Sequence, residues 1–279
     1  MRSDALPCVM EMAARVVATA NPSEKVRLAH ETTQAWRAGQ LRAPEPGAPS
    51  CAPDAPGRPP RPELKPPAQV PKRRLGNPAG RFALMHAVAH IEFNAIDLHF
   101  DMVARFAGDA RIADEQRLAF VSDWISVGDD EARHFTLVRN RLVEMGGDYG
   151  DLPAHDGLWE AASNTAKDLA ARLAVAPMVL EARGLDVTPM MIEKLTSVGD
   201  EASVAILQVI YDEEVGHVAA GARWFEHVCR DETDSAERCF HRLVSTYFRG
   251  PLKRPFNEPA RSAAGLPGCF YEPLAEALS

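Results

Sequence analysis

From Arg81 onward, apolar residues return every three or four positions, the spacing that gathers them on one face of an α-helix. The run RFALMHAVAHIEFNAIDLHFDMVARF (81–106) predicts one long helix. ADEQRLAFVSDWISVGDDEARHFTLVRNRLVEM (113–145) predicts a second, stopped by Gly146 and Gly147. A third lies within GLWEAASNTAKDLAARLAVAPMVLEARG (157–184) and a fourth in GDEASVAILQVIYDEEVGHVAAGARWFEHVCR (199–230), with a short helix expected between them at 189–198. SAERCFHRLVSTYF (235–248) predicts another, and the tail beyond it reads as loop. Upstream, residues 3–39 read as two short helices, the second starting at Asn21–Ser23 and stopping at Gly39. Strand-type alternation is lacking, so the expected class is all-α.

Residues 42–80 break the pattern. They hold twelve of the 22 prolines, a density that blocks helix and central strand and leaves polyproline or irregular backbone. Leu64, Val70 and Leu75 are apolar anchors within it, which favours an arm lying on the domain. The expected organisation is therefore N-terminal helices over 1–41, a proline-rich arm over 42–80, and a helical bundle with a C-terminal helix and tail over 81–279.

Composition adds exclusions. A net charge of −8 disfavours coating of nucleic acid or anionic membrane as the main task. Five cysteines without a C-x-x-C pair fit reduced thiols better than a disulfide framework. Asp4, Glu11 and Arg15 interrupt the apolar run a signal peptide needs, and no stretch is apolar enough for a membrane span, so a cytoplasmic protein is expected.

The chemistry concentrates in two places. Glu131/His134 in DDEARHF and Glu214/His217 in DEEVGHV are the only two Glu-x-x-His matches in the chain. Trp124, Val127, Phe135 and Val138 share the helix face of Glu131, and Leu207, Ile210, Tyr211 and Val218 that of Glu214. Both pairs thus point inward, where an ionised carboxylate is costly unless paired or metal-bound. Glu92 (AVAHIEFNAI) and Glu181 (VAPMVLEARG) are in the same position on the other two long helices. The order Glu, Glu-x-x-His, Glu, Glu-x-x-His over four helices is the ligand set of di-iron and di-manganese carboxylate bundles. Four carboxylates offset two divalent cations, and two neutral imidazoles complete the donors. Oxygen donors with one nitrogen per metal suit Fe(II) or Mn(II). A long 146–162 crossover between two antiparallel helix pairs would be the ferritin-like connection, and extended chain of that length reaches about 56 Å.

Less specific features carry plainer readings. His86 and His90 form an i,i+4 pair better explained as core or interface histidines than as a second metal site. His99 lies about 10 Å along the helix from Glu92 and is expected to be too far for the same metal. Arg133 or Arg183 would be the partner if Glu92 or Glu181 were simply salt-bridged. Basic residues cluster in the two non-helical arms: Arg58, Arg61, Lys65, Lys72, Arg73 and Arg74 in one, Arg249, Lys253, Arg254 and Arg261 in the other. They read as solvated or ion-paired arms, with an anionic-substrate clamp as the alternative.

The four-helix pattern resembles the ferritin-like superfamily. The stretches GRPPRPELKPPAQVPKRRLG, LMHAVAHIEFNAIDL, DDEARHF, LEARGLD and DEEVGHV together are similar to one bacterial branch of it, a ferritin-like domain of unknown function. The resemblance implies a four-helix bundle with a long crossover between its second and third helices. It implies metal ligands at Glu92, Glu131, His134, Glu181, Glu214 and His217, and two iron ions, or manganese or a mixed pair. The activity so implied is that of a non-haem oxidoreductase acting through O2 or peroxide on an unidentified organic substrate. A homodimer is compatible with this. A related branch hydroxylates a tRNA nucleoside, and the basic arms keep tRNA open although the net charge disfavours it. Ferroxidase or iron storage and a metal-stabilised scaffold are the alternatives, the first set back by the proline-rich arm and tail.

Overall fold

The computed structural model describes residues 6–71 and 75–275; Lys72, Arg73 and Arg74 of the first basic cluster lie outside them. It is all-α: among the described residues no strand forms, only three isolated bridges. The chain divides into two compact units, one through Asp156 and one from Gly157.

In the first unit, α1 (Val9–Ala18) and α2 (Pro22–Arg37) precede two long helices, α3 (Pro78–Phe106) and α4 (Arg117–Glu144). Asn21 and Asn77 cap α2 and α3 by accepting the Glu24 and Gly80 amide N–H groups, each with a proline next in the helix. The α3 and α4 helices pack along each other, with α1 against α3 and α2 against α4. Twenty-two of the 29 residues of α3 are buried, which makes it a central helix rather than an amphipathic surface one. Between α2 and α3 the proline-rich chain is tied down by its own backbone. Gly47 and Cys51 donate to the Gly108 and Ala104 carbonyls, Gly57 to Val17 and Lys65 to Ala154. Gly57 and Gly108 are needed for this approach, since a Cβ at either would fall 2.2–2.3 Å from a carbonyl oxygen.

The second unit holds α5 (Gly157–Asn164), α6 (Leu169–Val175), a π-helical turn (Ala176–Glu181), α7 (Ala182–Ser197) and α8 (Glu201–Cys229). After these come α9 (Ala236–Tyr247) and two short helices, α10 (Glu258–Ala263) and α11 (Gly268–Tyr271). Three expectations are corrected here. The helix expected at 189–198 is the continuous end of α7, with Pro189 inside it. Pro189 has no N–H for the Leu185 carbonyl, and the Asn257 side chain donates to that carbonyl instead, at 3.0 Å. The run into Glu181 is π-helical rather than α, at Pro177, where a missing N–H disrupts the ladder. Finally, the tail contains the helices α10 and α11 instead of loop alone. No helix among the described residues is long and apolar enough to cross a membrane.

Candidate metal centre

In the first unit, α3 presents Glu92 and α4 presents Glu131 and His134, all three buried. One ligand atom from each lies within 4.8 Å of the other two. His134 Nδ1 is 3.4 Å from Glu92 Oε2 and 3.5 Å from Glu131 Oε2. Burial, then the neighbouring Glu131 charge, pushes the Glu92 carboxyl well above the usual range. Burial by itself depresses His134, but its bonds to Glu131 and Glu92 outweigh that and lift it to about 11. Without a cation, then, protons held by His134 and by the Glu92 carboxyl relieve the crowding. A cation would take over that role and displace the protons. Phe93 and Phe135 pack at 5.2 Å beside this cluster on the same two helices.

His99 is not one of these three residues. It is buried, stacks on Trp124 at 5.5 Å, and its Nε2 lies 3.9 Å from Glu131 Oε1. The facing helix α4 brings Glu131 to it.

Other acidic and basic groups of this unit are engaged structurally. Asp129 pairs with His30 of α2 and raises its pKa, and Asp130 accepts from Arg133 at 3.1 Å. Asp97, fully buried, is bound by Lys25, with Arg58 at 3.7 Å. Burial drives Asp97 up to about 6 against those two cations. His86 and His90 both stack on Tyr149. His86 Nε2 accepts from the Gly150 N–H at 2.9 Å, and His90 bonds the Tyr149 hydroxyl and the His155 carbonyl. They anchor the 149–155 loop.

In the second unit, His217 and Glu214 stand one turn apart on α8, with Nδ1 to Oε2 at 3.1 Å. His217 is buried, and the Glu214 side chain is 12% exposed. Glu181, also buried, closes the π-helical turn. Three residues on, hence on the same helix face, Gly184 leaves room for Glu214: a Cβ there would sit 3.6 Å from Glu214 Oε1. The π turn is wedged against α8 at Gly221, where a Cβ would fall 2.4 Å from Pro177 Cβ.

Sequence reasoning missed the anchor of this arrangement, Asp186. Its buried carboxylate accepts from Arg261 Nε at 2.8 Å and Nη2 at 2.7 Å, from Arg183 Nη1 at 3.3 Å, and from the Asn257 N–H at 2.9 Å. Arg183 therefore serves Asp186, as Arg133 serves Asp130. Asn257 also donates to the Tyr211 hydroxyl at 2.9 Å, a packing role for that tyrosine. The signal was present as an acid three residues before a proline, but nothing local marks its partner 75 residues away.

The donor chemistry fits a divalent transition metal. The first unit brings Glu92, Glu131 and His134 together and the second brings Glu214 against His217, while no metal-sized group among the described residues includes Glu181. Two carboxylates balance one divalent charge, and oxygen donors with one imidazole suit iron or manganese.

Comparison with known proteins adds lineage. A protein from Haemophilus influenzae (strain ATCC 51907 / DSM 11121 / KW20 / Rd), described as an uncharacterized protein, is 40% identical over 249 residues, covering 88% of this chain and 86% of that one. No solved structure matches the chain. The family model for proteins of unknown function designated DUF455 matches residues 18–272, and the chain belongs to that family.

Proposed function

We propose that this protein is a ferritin-like, non-haem di-iron or manganese–iron oxidoreductase. Glu92, Glu131, His134, Glu181, Glu214 and His217 would hold its two cations. The observation that carries the reading is the buried Glu92/Glu131/His134 cluster, in which three ligand atoms lie within 4.8 Å, matched by the same donor types in the second unit. Bound metals of this class supply redox chemistry with O2 or peroxide.

The chain's own residues bind and orient. Two glutamates and one histidine per cation set the charge and fix the imidazole count. Binding a cation here would displace the protons held by His134 and Glu92, so loading would release acid. His99, stacked on Trp124, restrains the far side of the Glu131 carboxylate.

Anaerobic Fe(II) titration of the full-length protein, with metal analysis and O2 uptake, tests this. The reading expects about two irons per chain, magnetically coupled, and O2 uptake after reduction. Glu131→Gln and Glu214→Gln should each lower the stoichiometry. Failure to retain iron or manganese overturns the reading. Stoichiometries far above two would assign the chain to iron storage instead.

A further inference from the structure

The second unit contains a cavity of about 280 Å³ that the metal reading does not use. One wall is the π turn and the start of α7, at Val179, Leu180 and Arg183. The other is the 248–256 segment, with Phe248, Leu252 and Phe256. The lining also includes Arg249 and Lys253, both exposed, and the buried Arg261, so four basic residues border a largely apolar cavity.

The walls are held in place. Arg183 Nη1 donates to the Lys253 carbonyl at 2.8 Å and the Pro255 carbonyl at 3.1 Å, fastening the segment to α7. Leu252 donates to the Leu274 carbonyl at 2.9 Å. Phe256 stacks edge-on with Tyr271 at 4.7 Å and lies between the Arg254 and Arg261 guanidiniums at 5.1 and 4.9 Å.

The charges do not balance within this frame. Asp186 answers Arg261 and Arg183, and Glu272 answers Arg254, but Arg254 does not line the cavity. Among the described residues no side-chain hydrogen bond or ion pair engages Arg249 or Lys253. Arg261, 2% exposed, keeps its Nη1 buried without a hydrogen-bond partner among the described residues. That guanidinium lies over the Phe256 and Tyr271 rings at 4.9 and 4.5 Å, whose faces offset part of the burial cost, and no acid lines the cavity.

We propose that this cavity is a binding site for a small organic anion with an apolar body. Its carboxylate or phosphate would be held by Arg249, Lys253 and Arg183, with the hydrocarbon part against Leu180, Phe248 and Phe256. A cavity of about 150 Å³ accepts a benzene ring, so the volume suits a ligand of about eleven non-hydrogen atoms. The inference does not depend on the metal reading, because all of these residues lie outside the proposed ligand set.

The test is ligand-observed NMR and calorimetry on the metal-free, full-length chain at low salt. The probes are 4-phenylbutyrate and phenyl phosphate, with 4-phenyl-1-butanol as the neutral match and inorganic phosphate as the bare anion. At least one aromatic anion should bind with a Kd of about 1 mM or tighter, and at least tenfold more tightly than the alcohol or inorganic phosphate. The relative affinity of the two anions identifies the head group. Arg249→Ala/Lys253→Ala should weaken binding about tenfold, and Leu180→Trp, which fills the cavity, should abolish it. Equal binding of the alcohol, no binding of either aromatic anion below about 10 mM, or unchanged binding by both variants overturns the proposal. None of these results bears on iron stoichiometry, so the two readings fail separately.

Discussion

Replacing Asp186 by alanine is expected to destabilise the second unit by about 3–5 kcal/mol, the cost of leaving one member of a buried ion pair alone. The structure supports the upper part of that range. Asp186 is fully buried, and its partner Arg261 has a side chain only 3% exposed. The lost carboxylate accepted four hydrogen bonds, from Arg261 twice, from Arg183 and from the Asn257 backbone. Charged hydrogen bonds contribute about 1.5–3 kcal/mol each, although the four share one oxygen pair and do not add. Asp186→Asn, which keeps shape and some acceptor capacity, should cost less. The double variant Asp186→Ala/Arg261→Met removes both charges and should recover about 2 kcal/mol or more of the single loss. Urea unfolding followed by hydrogen exchange within α7 and α10 reads these values. An Asp186→Ala protein within about 1 kcal/mol of the parent, or a double variant that merely sums the two single losses, would refute the argument that this pair is energetically coupled.

Two further outcomes follow from the packing. Burial holds His86 down at about 4, below its ordinary 6.5. The unfolded chain therefore takes up a proton that the folded chain refuses. The contribution is complete above about pH 6.5 and is lost as pH falls towards 4, a span worth about 3 kcal/mol. His86→Gln, which can still accept from Gly150, should flatten that acid loss in urea midpoints measured at several pH values; an unchanged slope would contradict it. Gly221→Ala places a Cβ against Pro177 and should cost about 1–3 kcal/mol by overpacking. It should also lower iron stoichiometry by shifting the turn that carries Glu181, and a variant with full stability and full loading would show that the π turn is not wedged there.

Much of the helical layout was legible because its signals are local. Asn21 and Asn77 each precede a proline, Gly146 ends α4, and the 3.6-residue period runs through α3 and α4. The glutamates and histidines stood out because carboxylates on apolar faces have few inexpensive explanations. What was not legible depends on distant partners. Pro189 should end a helix by any local rule, and it does not because a side chain 68 residues later serves the carbonyl it leaves bare. The π turn at 176–181 needs Gly221 of α8 to admit Pro177. The neighbours of His99 and Asp186 were not legible either, since Glu131 comes from another helix and Arg261 from 75 residues further along the chain. The short helices α10 and α11 lie among prolines and glycines, where local preference favours turns, and packing against α8 and α9 settles them.

The bond from Asn257 to the Leu185 carbonyl has a consequence for how the molecule comes apart. A tail that looks dispensable in sequence acts as a splint on an internal helix. Cutting the chain near residue 250 would loosen α7 at its proline, and the strand of contacts leading back to Glu181 would slacken with it. Proteolysis at the C-terminal end should therefore be felt first in the middle of the unit, as faster amide exchange around Leu185 and Pro189, before any change at the break itself.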